Sequence, residues 1–212
     1  MAKKMKINYS NGNVYEGETA DGKPHGKGKQ TYKNGDIYEG DFLNGKLHGK
    51  GKRTDQKGGF YEGDFADGKR HGKGKLVSDG LIYEGDFIDG KRTGKAKYTD
   101  RAGAIYEGDF IDGVPHGKGK QTLVNGDIYE GDFVNGTITG KCKLIYAKGD
   151  VYEGDIINGN NLTGKGIYTY PNGEVYEGDF VNGAFHGKGI LRFKGGNFYE
   201  GDFADGKYLG KV

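Results

Sequence analysis

The chain has one cysteine, three prolines, two methionines and no tryptophan in 212 residues. The single thiol, Cys142, has no second cysteine to join, so no internal disulfide frames the fold. Hydrophobic residues make up only 33%, too few for one compact core in a chain of this length. No apolar run approaches the ~18 residues that cross a membrane as a helix. An excess of one charge is also missing. There are 32 basic and 30 acidic side chains, a net of +2, and that balance calls for neither nucleic acid nor an anionic membrane as partner. The basic start Met1-Ala2-Lys3-Lys4-Met5-Lys6 has no apolar segment behind it and does not read as a signal peptide. A cytoplasmic location is the expectation, with membrane or cytoskeletal association left open.

Glycine is what the chain has in excess, 44 of 212 residues, where about 7% is ordinary. These glycines do not recur every third residue, which excludes collagen. Aromatics at 13% argue against disorder. The glycines follow a repeat. Tyr-Glu-Gly begins at Tyr15, Tyr38, Tyr61, Tyr83, Tyr106, Tyr129, Tyr152, Tyr176 and Tyr199, at spacings of 22 to 24 residues. Counted from the tyrosine as position 1, the pattern is Y-E-G-D-F-x-N/D-G-K-x-H-G-K-G, with a further glycine at position 21. Positions 3, 8, 12, 14 and 21 hold 42 of the 44 glycines. One residue is missing between Tyr61 and Tyr83, and one is added near Asn160-Asn161. The organisation reads as one repeat domain: a partial leading repeat over 1–14, eight complete repeats over 15–198 and a truncated ninth over 199–212.

Each repeat predicts a β-hairpin. Residues 37–42 alternate with period two, and Asn44-Gly45 is a strong hairpin turn signal. Five glycines per repeat would each cost ~1 kcal/mol inside a helix. A two-residue turn at Asn44-Gly45 sets Tyr38 opposite Gly51, Glu39 opposite Lys50, Gly40 opposite Gly49 and Asp41 opposite His48. A four-residue loop there gives the same pairing. Because the usual period is odd, two even turns would flip the faces at every repeat. The second turn is therefore expected to be odd, a three-residue loop Lys33-Asn34-Gly35 ending in a left-handed glycine. It places Phe42 opposite Gly26, Gly40 opposite Gly28, Glu39 opposite Lys29 and Asp41 opposite Lys27. One face then carries aromatic rings over glycine, the arrangement called aromatic rescue. The other carries a ladder of Glu and Asp against Lys and His. With no second apolar set, the fold class expected is all-β: a single-layer, elongated, twisted antiparallel meander of tandem hairpins.

Tyr38–Gly51 and Tyr106–Gly119 follow the pattern almost letter for letter, and the pattern runs from about Met5 to Val212. The chain resembles the MORN (membrane occupation and recognition nexus) repeat family. The resemblance implies a glycine-rich hairpin ribbon without catalytic residues or cofactor, acting as a scaffold or interaction module. Some members bind phosphoinositides; others dimerise or hold a partner peptide in a groove. The repeats also occur beside lysine methyltransferase and phosphoinositide kinase domains, and no such domain stands in these 212 residues. Thr93, Thr139, Thr163 and Leu209 depart from the pattern's histidine, Ala96, Cys142 and Val212 from its last glycine, and Thr19 and Ile156 from its phenylalanine. These departures are expected to loosen the aromatic stripe locally.

Candidate chemistry gives way to structure at most positions. His25, His48, His71, His116 and His186 share one repeat position, whereas a catalytic or zinc histidine needs its own neighbours. Cys142 stands where a glycine is usual and has no evident base to make it a nucleophile. Gly40–Lys46 fits G-x-x-x-x-G-K, but Leu47 follows instead of Ser or Thr, and a strand instead of a helix. The acids lack a calcium-loop spacing, and Glu39 with Asp41 recurs along the chain, whereas an active site is normally unique.

Two surfaces remain as candidates. Tyr38, Phe42, Tyr61, Phe65, Tyr83, Phe87, Tyr106, Phe110, Tyr129 and Phe133 fall on one predicted face. They read as the core, and a core half exposed in a single layer also reads as a partner groove. Lys27, Lys50, Lys73, Lys95, Lys118 and Lys141 form a stripe that suits lipid headgroups in an alternative reading, although neighbouring acids neutralise it. The partners expected are other proteins, with anionic lipid as the alternative. The chain starts and stops within second strands without a visible cap, so either it is a piece of a longer array or its open sheet ends form a homodimer. A third alternative is an accessory segment that targets a separate enzyme.

Overall fold

The computed structural model describes residues 3–159 and 161–211. The expected departure at Val212, and Asn160 beside the added residue, lie outside the described residues. The described chain is all strand and turn, and it divides into two units. The first is Met1–Arg101 with Phe110–Gly113, the second Ala102–Asp109 with Val114–Val212. The first unit holds β1 (Lys3–Asn8), β2 (Val14–Ala20), β3 (Lys23–Thr31), β4 (Ile37–Leu43), β5 (Lys46–Thr54), β6 (Phe60–Ala66), β7 (Lys69–Ser78), β8 (Leu81–Ile88) and β9 (Lys91–Thr99). The strand β10 (Ile105–Ile111) gives residues to both units. The second unit continues with β11 (Val114–Thr122), β12 (Ile128–Val134), β13 (Thr137–Ile145), β14 (Val151–Ile157), β15 (Asn161–Thr169), β16 (Val175–Val181), β17 (Ala184–Arg192), β18 (Phe198–Ala204) and β19 (Lys207–Gly210). Within each unit every strand pairs antiparallel with its chain neighbour, giving an open meander.

The turns follow from their residues. Asn44 (φ 50°) and Gly45 (φ 85°) are both left-handed, a primed two-residue turn whose twist suits a hairpin. The second turn is the expected odd loop. Gly35 N–H donates to the Tyr32 carbonyl at 2.8 Å and Tyr32 N–H to the Asp36 carbonyl at 2.9 Å, with Gly35 at φ 83°. Phe42 accordingly pairs with Gly26, Asp41 with Lys27, Gly40 with Gly28 and Glu39 with Lys29. The short third repeat obeys the same parity rule. Its second turn shrinks to Asp79-Gly80, both left-handed, and Glu84 still faces Lys75. A 22-residue repeat is even, so two even turns keep the faces in place.

The first hairpin departs from the expected register. Asp41 faces His48 as predicted, but Gly40 faces Gly51, Glu39 faces Lys52 and Tyr38 faces Arg53. Gly49 and Lys50 bulge out between these pairings. The slip is two residues, so each side chain keeps its face. Gly49 enters the bulge at φ 57°, a conformation that favours glycine. The free amide of Lys50 donates to Asp41 Oδ2 at 3.0 Å, and Lys73 repeats the contact on Asp64 at 3.1 Å. The aspartate at position 4 therefore caps a bulge as well as facing the ladder. The turn glycine of one repeat also reaches back to the repeat before: Gly45 N–H donates to the Pro24 carbonyl and Gly68 N–H to the Leu47 carbonyl.

Candidate functional site

The face that carries the rings is the core. Tyr38 and Tyr83 are 0% exposed, and Phe42, Phe65, Phe87 and Phe110 no more than 5%. The expected half-exposed core is thus corrected to a buried one. Two contacts close it. As Tyr61, Tyr106, Tyr152 and Tyr176 do on theirs, Tyr38 lies over a glycine pair, close enough that a Cβ built on Gly51 would fall 2.5 Å from Tyr38 Cε2. On its other side comes the residue at position 10, which the sequence reading left as variable. Leu47 is buried opposite Phe42, the Arg70 guanidinium sits 5.3 Å from the Tyr61 ring centre, and Phe185 stacks on Tyr176 at 3.7 Å. The rings also meet edge to face. Tyr38 lies 5.1 Å from Phe42 and 5.0 Å from Phe65, and Tyr61 lies 5.0 Å from both Phe65 and Phe87. Tyr38 Oη donates to the Asp41 carbonyl at 2.9 Å, and Tyr61 Oη to the Asp64 carbonyl at 2.9 Å. Burial pushes the phenol of Tyr61 up to about 12.

Of the ten stripe residues, only Tyr129 is not buried. Its ring should cover Gly131 and residue 142, but the Cys142 side chain is buried there instead, and a Cβ on Gly131 would meet the cysteine Cβ at 3.1 Å. Tyr129 Oη makes no hydrogen bond among the described residues, unlike Tyr106 and Tyr152, whose hydroxyls donate to carbonyls. Burial pushes the Cys142 thiol up to about 11, so at neutral pH it is a protonated packing group. The smaller departure is absorbed: beside Ala96, Tyr83 stays buried and donates to the Asp86 carbonyl at 3.0 Å. Two others fill the core, Ile156 with its aliphatic chain and Thr19 with Oγ1 donating to the Lys3 carbonyl at 2.9 Å.

The opposite face carries the ladder. Lys27 Nζ lies 2.6 Å from Asp41, Lys50 2.7 Å from Asp64, Lys73 2.7 Å from Asp86, Lys118 2.8 Å from Asp132 and Lys141 3.1 Å from Asp155. Lys95, the sixth of the stripe, also has an interaction partner. A second row pairs Lys29 with Glu39 at 2.9 Å and Lys52 with Glu62 at 3.1 Å. Between the rows the glycines present bare backbone, and the face is concave. The first unit has a hollow of about 550 Å³ there, lined by lysine, glutamate and glycine from Lys27 to Gly74. The second has one of about 800 Å³ running from Lys141 to Lys211. The same face bears an exposed aliphatic row that the sequence reading overlooked. Leu43, Ile88, Ile111, Val134, Ile157 and Val181 are all at least 40% exposed. Their parity with the glutamate at position 2 was the available signal.

Three of the histidines stand beside aspartates as expected: His48 faces Asp41, His71 faces Asp64 and His186 faces Asp179. No group of three or more metal-ligating side chains exists among the described residues. Among the described residues no helix is long and apolar enough to cross a membrane.

Comparison with known proteins agrees with this geometry. The MORN repeat model matches nine consecutive segments: 15–37, 38–60, 61–80, 83–105, 106–128, 129–151, 152–175, 176–198 and 199–211. The chain belongs to the MORN repeat family. No curated protein matches this MORN chain. Among solved structures it is similar to the G-box domain of the microcephaly protein CPAP, at a TM-score of 0.50 and 13% identity over 95% of this chain and 100% of that one. The likeness is one of fold. The TCP10 domain of Danio rerio CPAP in complex with a STIL peptide is also similar, at a TM-score of 0.45 and 13% identity over 95% and 99% of the two chains.

Proposed function

We propose that this chain is a non-catalytic scaffold, a protein-interaction module that seats a partner segment in the concave ladder face. The observation that carries the reading is the repeated hollow floored by glycine backbone and walled by ordered ion pairs. Tyr38, Phe42, Tyr61, Phe65, Tyr83, Phe87, Tyr106, Phe110 and Phe133 act from behind it. Buried as they are, they hold the strands in register, and a partner meets the ladder and the aliphatic row. Tyr129, which is only half-buried, is the stripe residue most open to a partner. Avidity along a repeated rigid surface supplies the affinity. A glutamate at position 2 and an acid at position 4 recur in every repeat, which suits docking better than a single catalytic centre.

The test is photo-crosslinking in cells from a benzophenone side chain. Placed at Lys75, on the ladder face, it should give protein adducts; placed at Leu76, on the core face, it should give none. Adducts from Leu76 alone would reject the reading. Self-association through the exposed strands β1 and β19 belongs to the same proposal, and a mass that does not change with concentration in sedimentation equilibrium would remove it. The lipid alternative has less support. Lys27, Lys50, Lys73, Lys118 and Lys141 each already hold a carboxylate, and recruiting them to a headgroup means breaking those pairs. Pelleting with phosphoinositide liposomes that falls steeply above ~0.1 M salt would restore it.

A further inference from the structure

The ladder's glutamate row changes character in the second unit. In the first unit each glutamate lies between two lysines: Glu39 between Lys29 and Lys52, Glu62 between Lys52 and Lys75, Glu84 between Lys75 and Lys97. In the second, two of the lysines are isoleucines. Glu153 faces Ile167, Glu177 faces Ile167 on one side and Ile190 on the other, and Glu200 faces Ile190. Each of these glutamates keeps one base: Lys143 at 2.6 Å, Arg192 at 3.2 Å and Lys211 at 3.2 Å respectively. Glu153 and Glu200 have each lost one cross-strand lysine, and Glu177 both. Ile167 is 41% exposed, an aliphatic side chain on a face built of charge. Both isoleucines line the hollow of about 800 Å³. The array has thus exchanged two positive charges for two apolar contacts inside its larger hollow.

We infer that this stretch, from Glu153 to Glu200, is the docking site for a basic, aliphatic segment of a partner protein. The inference rests on the scaffold reading above and adds to it a place and a partner chemistry. Aliphatic side chains of the segment cover Ile167 and Ile190, whose exposed surface has no other cover among the described residues. Its lysines or arginines stand where the array's own lysines are missing, beside Glu177 and its neighbours. An acidic segment would meet the glutamate row with like charge. An anionic bilayer would meet the same row, and a planar surface does not enter a hollow. From Glu153 to Glu200 is four strand spacings, about 19 Å, which about 13 residues of α-helix cover.

The probe is a fluorescein-labelled amphipathic peptide of leucine and lysine, with a leucine and glutamate peptide of the same pattern as control. Binding is read by fluorescence anisotropy on the full chain at about 0.15 M salt, where exposed charges are well screened. The decisive variant is Ile167→Lys with Ile190→Lys. It restores the residue that six other repeats carry at this position, so it is expected to fold, and circular dichroism checks this. The lysine peptide should bind the natural chain and lose at least tenfold in affinity on the variant, while the glutamate peptide binds neither. The converse variant, Lys52→Ile with Lys75→Ile, flanks Glu62 with isoleucines and should add a second binding equivalent. Equal binding to the natural and double-lysine chains would overturn the site and leave the scaffold reading standing. No binding of the lysine peptide, with ladder-face crosslinks still forming in cells, would overturn the partner chemistry alone.

Discussion

Gly40 and Gly51 face each other on the core side of one hairpin, yet the same change to alanine should cost them very different amounts. Neither has a positive φ, so alanine fits both backbones. Its narrower unfolded ensemble contributes about 0.4–1 kcal/mol in favour of the variant. At Gly51 the new Cβ runs into the Tyr38 ring, with Cε2 at 2.5 Å. At Gly40 it runs into backbone, the Gly51 Cα and the Lys50 carbonyl, both at 2.5 Å. A ring can move aside, and the fourth repeat tolerates the added methyl: Ala96 occupies the place of Gly51 there and Tyr83 stays buried. Backbone can give way only by opening the ladder. Overpacking usually costs 1–3 kcal/mol, so Gly51→Ala is expected at about 1 kcal/mol net and Gly40→Ala at about 3 kcal/mol or more. Urea unfolding followed by tyrosine fluorescence and by far-ultraviolet circular dichroism measures both. Equal costs, or the reverse order, would refute the account of rings packed on glycine.

Four further outcomes follow from the same geometry. Tyr61→Phe removes a hydroxyl that donates at 2.9 Å and should cost about 1 kcal/mol, whereas Tyr129→Phe should cost almost nothing; urea midpoints compare them. Cys142→Gly should let the Tyr129 ring settle onto the glycine pair, so that nitration of Tyr129 by tetranitromethane, mapped by mass spectrometry, slows relative to the natural chain. Asp64→Ala strips the cap from the Lys73 amide and should cost about 1–2 kcal/mol, more than Lys50→Ala, which breaks an exposed pair worth at most about 1 kcal/mol. Burial raises the phenols of Tyr61, Tyr83 and Tyr176 to about 12 in the folded chain, above the ordinary value of 10.0. Their neutral form favours the fold, so this contribution is complete below the ordinary value and is lost as pH rises through about 12. Phenolate absorbance and circular dichroism should therefore change together in strong alkali, and core phenolate appearing near the ordinary value in a folded chain would contradict it.

Much of this molecule was legible in one dimension. The glycine lattice, the Asn-Gly turns and the odd period together determined an antiparallel meander, the odd second loop, and which side chains share a face. These properties follow from local backbone chemistry and from a parity that any number of repeats must respect. The 22-residue repeat obeys it by shortening one turn. The Lys27–Asp41 and Lys29–Glu39 pairings were readable for the same reason. The bulge at Gly49-Lys50 was not, because a slip of two residues preserves every face and leaves the alternation unchanged. It took the cross-strand partners of Tyr38 and Glu39 to expose it. Burial of the rings was likewise a tertiary decision. It depends on Leu47, Arg70 or Phe185 folding over them from a position whose chemistry varies from repeat to repeat. So was the partial exposure of Tyr129, where the buried Cys142 side chain lies against Gly131 in place of the usual glycine. The sequence by itself determined the order of the strands and the face of each residue, since those are matters of period. Only the packed structure decided which face is closed and which is hollow, since that depends on how far side chains reach across strands.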